Sequence, residues 1–357
     1  MQYERLEKGK TPVLAVCYDF DRTLTPGDMQ AQGFIQSVGA DVNEFWKQSN
    51  EFAINNDMDM NLAYMLAMVK RARGKFYVTR EALKSYGAKI KLYEGAEGWF
   101  DRITGYGRQR GIAVEHYVIS SGIKEMIEGT AVAGKFRKIY ASSFAYDEYG
   151  APEWPAQTIN YTNKTQFLFR IEKGCLDIND HEGVNRYIPP EKLRVPLRNM
   201  VYIGDSDTDI PCMKLVNSSG GHAIGVYDPE GSRDKVYRLM ANNRIKYYAP
   251  ADYREGSRLD VLLKAIIDKT AAYERLESEH VRDLEQMRAA GSGYKRLRRR
   301  GPRGGAHFIH LSDFGRSARA AAPLLFAAAL YAACKVHENS ADGAATMRKT
   351  HIPRRKF

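Results

Sequence analysis

Val13-Leu14-Ala15-Val16-Cys17-Tyr18-Asp19-Phe20-Asp21-Arg22-Thr23 is the stretch on which the reading of this chain turns. Six apolar residues in a row predict a strand buried on both faces. Two acids spaced two apart then stand at its mouth. Carboxylates placed there are costly unless a cation or a proton meets them. A second apolar run, Met200-Val201-Tyr202-Ile203, closes the same way, on Gly204-Asp205-Ser206-Asp207-Thr208-Asp209. Two acidic strand ends so far apart in sequence point to Mg²⁺-dependent phosphoryl chemistry.

After the first strand, Thr25-Pro26-Gly27 reads as a turn. The next clear strand is His116-Tyr117-Val118-Ile119, ending on Ser120-Ser121-Gly122. A strand–helix–strand crossover needs only about 30 residues, so a segment is inserted between these two strands. Leu62, Leu66 and Val69 recur there at helical spacing. Residues 28–104 are therefore expected to form a helical cap, and 1–27 with 105–277 the catalytic core. Within that core, Lys124–Gly129 and Lys164–Glu172 read as helices. Residues Lys138–Ser142, 199–204, His222–Tyr227 and Ile245–Tyr248 read as strands, Phe144–Gly150 as a hairpin, and Leu259–Glu277 as a closing helix. Apolar strands alternating with helices predict an α/β fold: a Rossmann-like, doubly wound parallel sheet carrying the inserted helical cap.

The 357-residue chain has a formal net charge of +11, but all of that excess lies in residues 289–357. The remainder is balanced, so the high pI says nothing of the catalytic body's partners. Residues 278–357 are expected to be a basic, poorly ordered extension. Its cluster at 295–300 is the one place where nucleic acid could bind, and no aromatic interleaving accompanies it. The apolar run Ala320–Cys334 is shorter than the about 18 to 20 residues a membrane span needs, so no span is expected. Residues 1–10 lack an apolar signal core. Cys17, Cys175, Cys212 and Cys334 are scattered, without a Cys-x-x-Cys pair, which fits a reducing compartment. A cytoplasmic location is expected.

Hydrolysis of a phosphate ester makes specific demands. A carboxylate nucleophile divides the reaction into two steps. Mg²⁺, which prefers oxygen ligands, offsets the repulsion between that nucleophile and the phosphate. A second acid protonates the leaving oxygen and then deprotonates water. A lysine and a donor-rich loop hold the phosphoryl oxygens. Asp19 and Asp21 stand at alternate positions of one strand end and can face one pocket. Asp205 ends another strand, with Asp209 four residues on. Ser120, Ser121 and Gly122 end a third, and Lys164 heads a helix. In an open parallel sheet such ends gather at the switch point.

Asp19-Phe20-Asp21-Arg22-Thr23 resembles the Asp-x-Asp-x-Thr motif of the haloacid-dehalogenase superfamily. Val118-Ile119-Ser120-Ser121-Gly122 is similar to its second motif, Lys164 to its third, and Gly204-Asp205-Ser206-Asp207-Thr208-Asp209 to its fourth. The resemblance implies Asp19 as nucleophile and Asp21 as general acid and base, with the Asp21 backbone carbonyl on Mg²⁺. It implies Asp205 as a direct ligand and Asp209 as support of that shell. Ser120 would bind a phosphoryl oxygen, and Lys164 would neutralise phosphate and Asp19. The second acid, Asp21, favours a phosphatase over a dehalogenase or an ion pump; a phosphomutase is the alternative within the family. The cap resembles that of phosphoserine-phosphatase-like members, which carry a Glu nine residues after the nucleophile. This chain has Asp28 there, and Asp28 and Arg22 are candidate substrate contacts. The expected substrate is a small phosphorylated metabolite.

Blander roles compete at some positions. Asp207 and Asp209 could each cap a helix. Thr23 is expected to serve its loop through its hydroxyl. His116, at the start of an apolar strand, is expected to be structural.

Overall fold

A computed structural model describes residues 3–298, with side chains described through residue 290. The chain divides into two compact units between Glu285 and Gln286. The first contains a seven-stranded sheet: β1 (Val13–Tyr18), β2 (Ala113–Ile123), β3 (Lys138–Tyr146), β4 (Pro152–Gln157), β5 (Met200–Gly204), β6 (His222–Tyr227) and β7 (Tyr247–Pro250). Their order is β4-β3-β2-β1-β5-β6-β7. All neighbours are parallel except β3 and β4. The sheet is thus doubly wound as expected, with one antiparallel edge that the expectation of a parallel sheet lacked. The hairpin there turns over residues 147–151, and β3 runs on to Tyr146. Strand order reverses between β1 and β5, the place where open α/β sheets bind ligands.

The apolar run of β1 is continuous because both faces are covered. Leu14, Val16 and Tyr18 join one core with Val114, Val118, Val201, Ile203 and Ile224. Val13, Ala15 and Cys17 join the other with Tyr117, Ile119, Met200 and Tyr202. Adjacent side chains point to opposite faces, so every position of such a strand must be apolar. The described cysteines, Cys17, Cys175 and Cys212, are free and buried.

Between β1 and β2 lie α1 (Phe34–Ser37), α2 (Val42–Asn55), α3 (Met60–Ala72), α4 (Arg80–Gly87) and α5 (Ala96–Gln109). Asp41, Asp59 and Thr79 cap α2, α3 and α4 through their side chains. The insertion leaves and rejoins the core at one point, where Tyr93 N–H donates to the Leu24 carbonyl at 2.9 Å. α5 packs on the sheet: Trp99 Nε1 donates to the Tyr18 hydroxyl at 2.8 Å, and the Phe100 ring meets Tyr18 edge-on at 5.7 Å. The inserted part therefore ends near residue 93, and the expected boundary at 104 falls inside a core helix.

The remaining helices are α6 (Lys124–Glu128), α7 (Thr165–Lys173), α8 (His181–Asn185), α9 (Ile210–Ser218), α10 (Asp234–Ala241) and α11 (Arg258–Arg298). α11 passes the Leu259–Glu277 limit read from sequence and takes up the first part of the expected 278–357 extension. No helix among the described residues is long and apolar enough to cross a membrane. The 299–357 remainder, including the Ala320–Cys334 run, lies outside the described residues, as do the side chains of the 295–300 cluster.

His116 is buried, with Nδ1 3.0 Å from the Tyr18 hydroxyl and Nε2 3.1 Å from Thr104 Oγ1. Burial pushes its imidazole down from 6.5 to about 4. The unfolded chain therefore binds a proton near pH 6.5 that the folded chain refuses until about pH 4. Stability is full above this window and falls as pH drops through it, by on the order of 3 kcal/mol. His222, also pushed down by burial to about 4, adds to the fall. In His116→Gln the loss between pH 6.5 and 4, followed by urea unfolding, is expected to be clearly smaller than in the wild-type protein; an unchanged slope would contradict this account.

Candidate active site

The site lies over the carboxyl ends of β1, β2 and β5. Asp19 continues β1, and its N–H donates to the Ile203 carbonyl at 2.9 Å, so the β1–β5 ladder places the acid. Gly204 and Asp205 follow from β5. Carboxylate oxygens of Asp19, Asp205 and Asp209 lie within 4.8 Å of one another. Lys164, fully buried, stands beneath them. Its Nζ is 2.7 Å from Asp209 Oδ1 and 3.4 Å from Asp19 Oδ1.

Asp209 is held at both oxygens. Oδ1 also accepts from the Tyr202 hydroxyl at 2.8 Å; Oδ2 accepts from Ser206 N–H at 2.9 Å and Ser206 Oγ at 2.8 Å. Asp209 stands at the start of the helix Ile210–Ser218 but makes no side-chain cap there; its Oδ2 closes the turn Asp207–Asp209 on Ser206 while the residue joins the acidic cluster. A Cβ on Gly204 would stand 2.6 Å from Asp209 Oδ2, so this position has no room for a side chain while Asp209 keeps its bonds. Asp207 faces away, with Arg238 at 3.9 Å.

Electrostatics separate the acids. Burial raises Asp209, but Lys164 and the Ser206 bonds bring it below its ordinary value. Burial and the Asp209 and Asp205 charges raise Asp19 against the pull of Lys164. Asp205 is pushed up to about 6, chiefly by burial and by Asp209. Lys164 is lifted by Asp19 and Asp209 despite its own burial. One buried lysine does not balance three carboxylates, and the excess negative charge suits a hard divalent cation. Asp209, saturated by four donors, is suited to support rather than to direct ligation.

Asp21 is half-buried on the other side of Asp19, and Oδ1 accepts Met29 N–H at 2.7 Å. Burial and the charges of Asp28 and Asp19 push its carboxyl well up. Arg22, in the left-handed region at φ 55°, turns back and binds both oxygens of Asp28 at 3.1 Å. The two candidate substrate residues are thus paired with each other. The Thr23 hydroxyl has no partner among the described residues; its carbonyl instead accepts from the Tyr253 hydroxyl at 2.6 Å. The loop contact runs through backbone, correcting the expectation for this residue.

At the end of β2 the pairing with β3 slips between Ser120 and Ile123, and the Gly122 and Ile123 N–H groups leave the ladder for Ser120 Oγ and Met29 Sδ. Ser120 Oγ is buried and accepts Gly122 N–H at 3.0 Å. Tyr64 of α3 and Ser142 of β3 hold the Ser121 carbonyl at 2.7 and 3.1 Å. A cavity of about 280 Å³ joins Asp19, Asp21, Ser120, Ser121, Gly122 and Asp205 to residues of the insertion. Lys164 does not line it and acts from below.

Lys235 of α10 is a site residue that motif reading missed. It lies 3.6 Å from Asp205 and lines the cavity. Gln30, Trp46, Asn61 and Tyr64 were likewise unassigned, because only folding brings the insertion over the strand ends.

Acids gathered at the switch point of a doubly wound sheet define a carboxylate-centred site. Residues 16–214 match the haloacid dehalogenase-like hydrolase family, and the chain belongs to that family. An uncharacterized protein of Borreliella burgdorferi (strain ATCC 35210) is 28% identical over 276 residues, covering 69% of this chain and 94% of that one. A probable phosphoserine phosphatase from Vibrio cholerae aligns at TM-score 0.46 and 11% identity, covering 75% of this chain and 68% of that one. A HAD family hydrolase from Salmonella enterica serovar Typhi aligns at TM-score 0.45 and 14% identity, covering 72% and 73% respectively. At these scores the structural likenesses add nothing to the family assignment.

Lys164→Met is expected to destabilise the fold by about 3–5 kcal/mol, because it leaves buried carboxylates uncompensated. Urea unfolding at pH 7.5 measures this; a loss below about 1 kcal/mol would contradict the electrostatic role given to this lysine.

Proposed function

We propose that the protein is a Mg²⁺-dependent phosphatase that hydrolyses a small phosphomonoester through an aspartyl-phosphate on Asp19. The observation that carries this reading is the convergence of Asp19, Asp205 and Asp209 within 4.8 Å over the buried Lys164.

Asp19 is suited to attack. Its Oδ1 accepts Phe20 N–H at 2.8 Å and faces Lys164. Oδ2 has no hydrogen bond among the described residues and is the oxygen available to phosphorus. As the bond from Asp19 to phosphorus forms, the bond to the ester oxygen breaks. Asp21, its carboxyl pushed up by burial and by the Asp28 and Asp19 charges, gives its proton to that leaving oxygen. The resulting carboxylate then takes a proton from water, whose oxygen attacks phosphorus and releases Asp19 with inorganic phosphate. Ser120, whose hydroxyl hydrogen is uncommitted while its Oγ accepts Gly122 N–H, would donate to a phosphoryl oxygen.

The donor set fits Mg²⁺: Asp19, Asp205 and the Asp21 backbone carbonyl would hold it, with Asp209 supporting. When bound, the ion would neutralise the charge of phosphate and nucleophile. The insertion covers the cavity as a cap and would limit bulk water. The expected substrate is a small phosphorylated metabolite.

Asp19→Asn is expected to lower turnover of p-nitrophenyl phosphate by roughly 10³-fold or more, with an unchanged circular dichroism spectrum. Wild-type protein should release free phosphate rather than a rearranged ester. Full activity in the variant would overturn the assignment of the nucleophile. Independently of turnover, millimolar Mg²⁺ should raise the thermal midpoint of the wild-type protein and should do so far less in Asp205→Asn. Equal shifts in both would remove Asp205 from the metal shell.

A further inference from the structure

A second cavity, of about 580 Å³, lies at the end of the sheet opposite the acids. Its walls are the segments that lead into the strands, residues 5–9 before β1 and 186–194 before β5, with Lys173 at the end of α7. These walls are tied together through backbone. Leu6 N–H donates to the Gly174 carbonyl at 2.9 Å, and Val195 N–H to the Glu172 carbonyl at 3.1 Å. A Cβ on Gly174 would stand 2.1 Å from the Leu6 carbonyl oxygen, so the first segment lies directly against the helix end.

Charge sets this cavity apart from the catalytic one. Six cations line it, Arg5, Lys8, Lys173, Arg186, Lys192 and Arg194, against two carboxylates, Glu7 and Glu191. Two of the six are neutralised by acids outside the wall. Arg5 binds both oxygens of Asp180, at 2.7 and 2.8 Å. Arg194 binds both oxygens of Glu115, at 2.8 and 2.5 Å. Lys8, Lys173, Arg186 and Lys192 have no carboxylate partner among the described residues, and neither Glu7 nor Glu191 has a cationic one. Four such cations against two such acids leave the wall with a surplus of two positive charges.

The lysines are held in place without being neutralised. Lys173 is half-buried, and its Nζ donates to the Val184 carbonyl at 2.7 Å and the Arg186 carbonyl at 2.9 Å. Lys8 Nζ donates to the Glu191 carbonyl at 2.9 Å. A carbonyl fixes an ammonium but does not cancel its charge. Each ammonium has three donors, so both lysines keep capacity for a ligand. Like charges gathered on one wall favour an anion between them.

We propose that this cavity is a binding site for a phosphate-bearing dianion, separate from the catalytic centre. The surplus matches a dianion in charge, and ammonium and guanidinium donors suit phosphoryl oxygens. Lys164 and Lys173 stand at the two ends of α7, about 14 Å apart at 1.5 Å per residue, so a single helix carries one lysine to each site. The proposal does not depend on the phosphatase reading.

The test is calorimetric titration of the full-length protein with inorganic phosphate, in EDTA so that the catalytic acids hold no metal. One saturable site is expected. The double variant Arg186→Ala, Lys192→Ala changes two exposed side chains and should weaken binding by about tenfold or more. Lys8→Ala serves if the double variant does not fold. A control with Lys295, Arg296, Arg298, Arg299 and Arg300 all changed to Gln should bind as the wild-type protein does. No binding by the wild-type protein, or equal binding by the folded double variant, would overturn the proposal. Loss of binding in the glutamine control alone would overturn it too, by moving the anion to the basic cluster. AMP in place of phosphate separates the sources of the ligand, because the ring of Tyr187, 81% exposed, stands on the same wall. Tighter binding of AMP supports the site with a phosphomonoester as its ligand; equal or weaker binding supports it with free phosphate.

Discussion

Everything at the switch point depends on one buried cation. Lys164 stands 2.7 Å from Asp209 and 3.4 Å from Asp19, and it allows carboxylates from two separate strands to share a space they would otherwise leave. Its attraction is divided unequally. Asp209 receives most of it, together with three further donors from Tyr202 and Ser206. Asp19 receives less and keeps one oxygen free. The same lysine thus immobilises one acid as scaffold and leaves the other reactive.

The unequal sharing explains how two neighbouring aspartates come to differ. Asp19 lies close to positive charge and accepts a backbone N–H. Asp21, two residues on, is influenced by burial and by the Asp28 and Asp19 charges, which favour its protonated form. A nucleophile has to be ionised and a general acid has to be protonated at the same pH. Both carboxyls are raised by burial and like charge, Asp19 against the pull of Lys164, and under the proposed mechanism a cation bound beside Asp19 would favour its ionised form.

Much of this was legible in the sequence, for reasons specific to each element. β1 could be read because a strand covered on both faces is apolar at every position. The acids at 19, 21, 205 and 209 could be read because their spacing is fixed by strand ends and one short turn. The end of the insertion could not. Trp99, Phe100 and Ile103 show the same helical spacing whether they face the insertion or the sheet, and they face the sheet. The length of α11 was missed because Leu259–Glu277 ends where the apolar face ends, while the helix itself meets no Gly or Pro before Gly291. Lys235, Gln30 and Trp46 belong to no local pattern; their relevance arises only from distances across the cavity. The pairing of Arg22 with Asp28 was equally hidden, since it depends on the left-handed backbone at Arg22.

The two ends of the insertion are tied by a backbone bond from Tyr93 to the Leu24 carbonyl, and its helices rest on the core through Tyr64 on the Ser121 carbonyl, Asn61 on the Ile159 carbonyl and Arg80 beside Glu125. Its two ends are therefore pinned together beside the strand that presents Asp19. Selection can rework side chains on the cavity wall that the inserted helices supply while the strand ends that carry the acids stay still. A chain organised this way is free to acquire new substrates faster than new reactions.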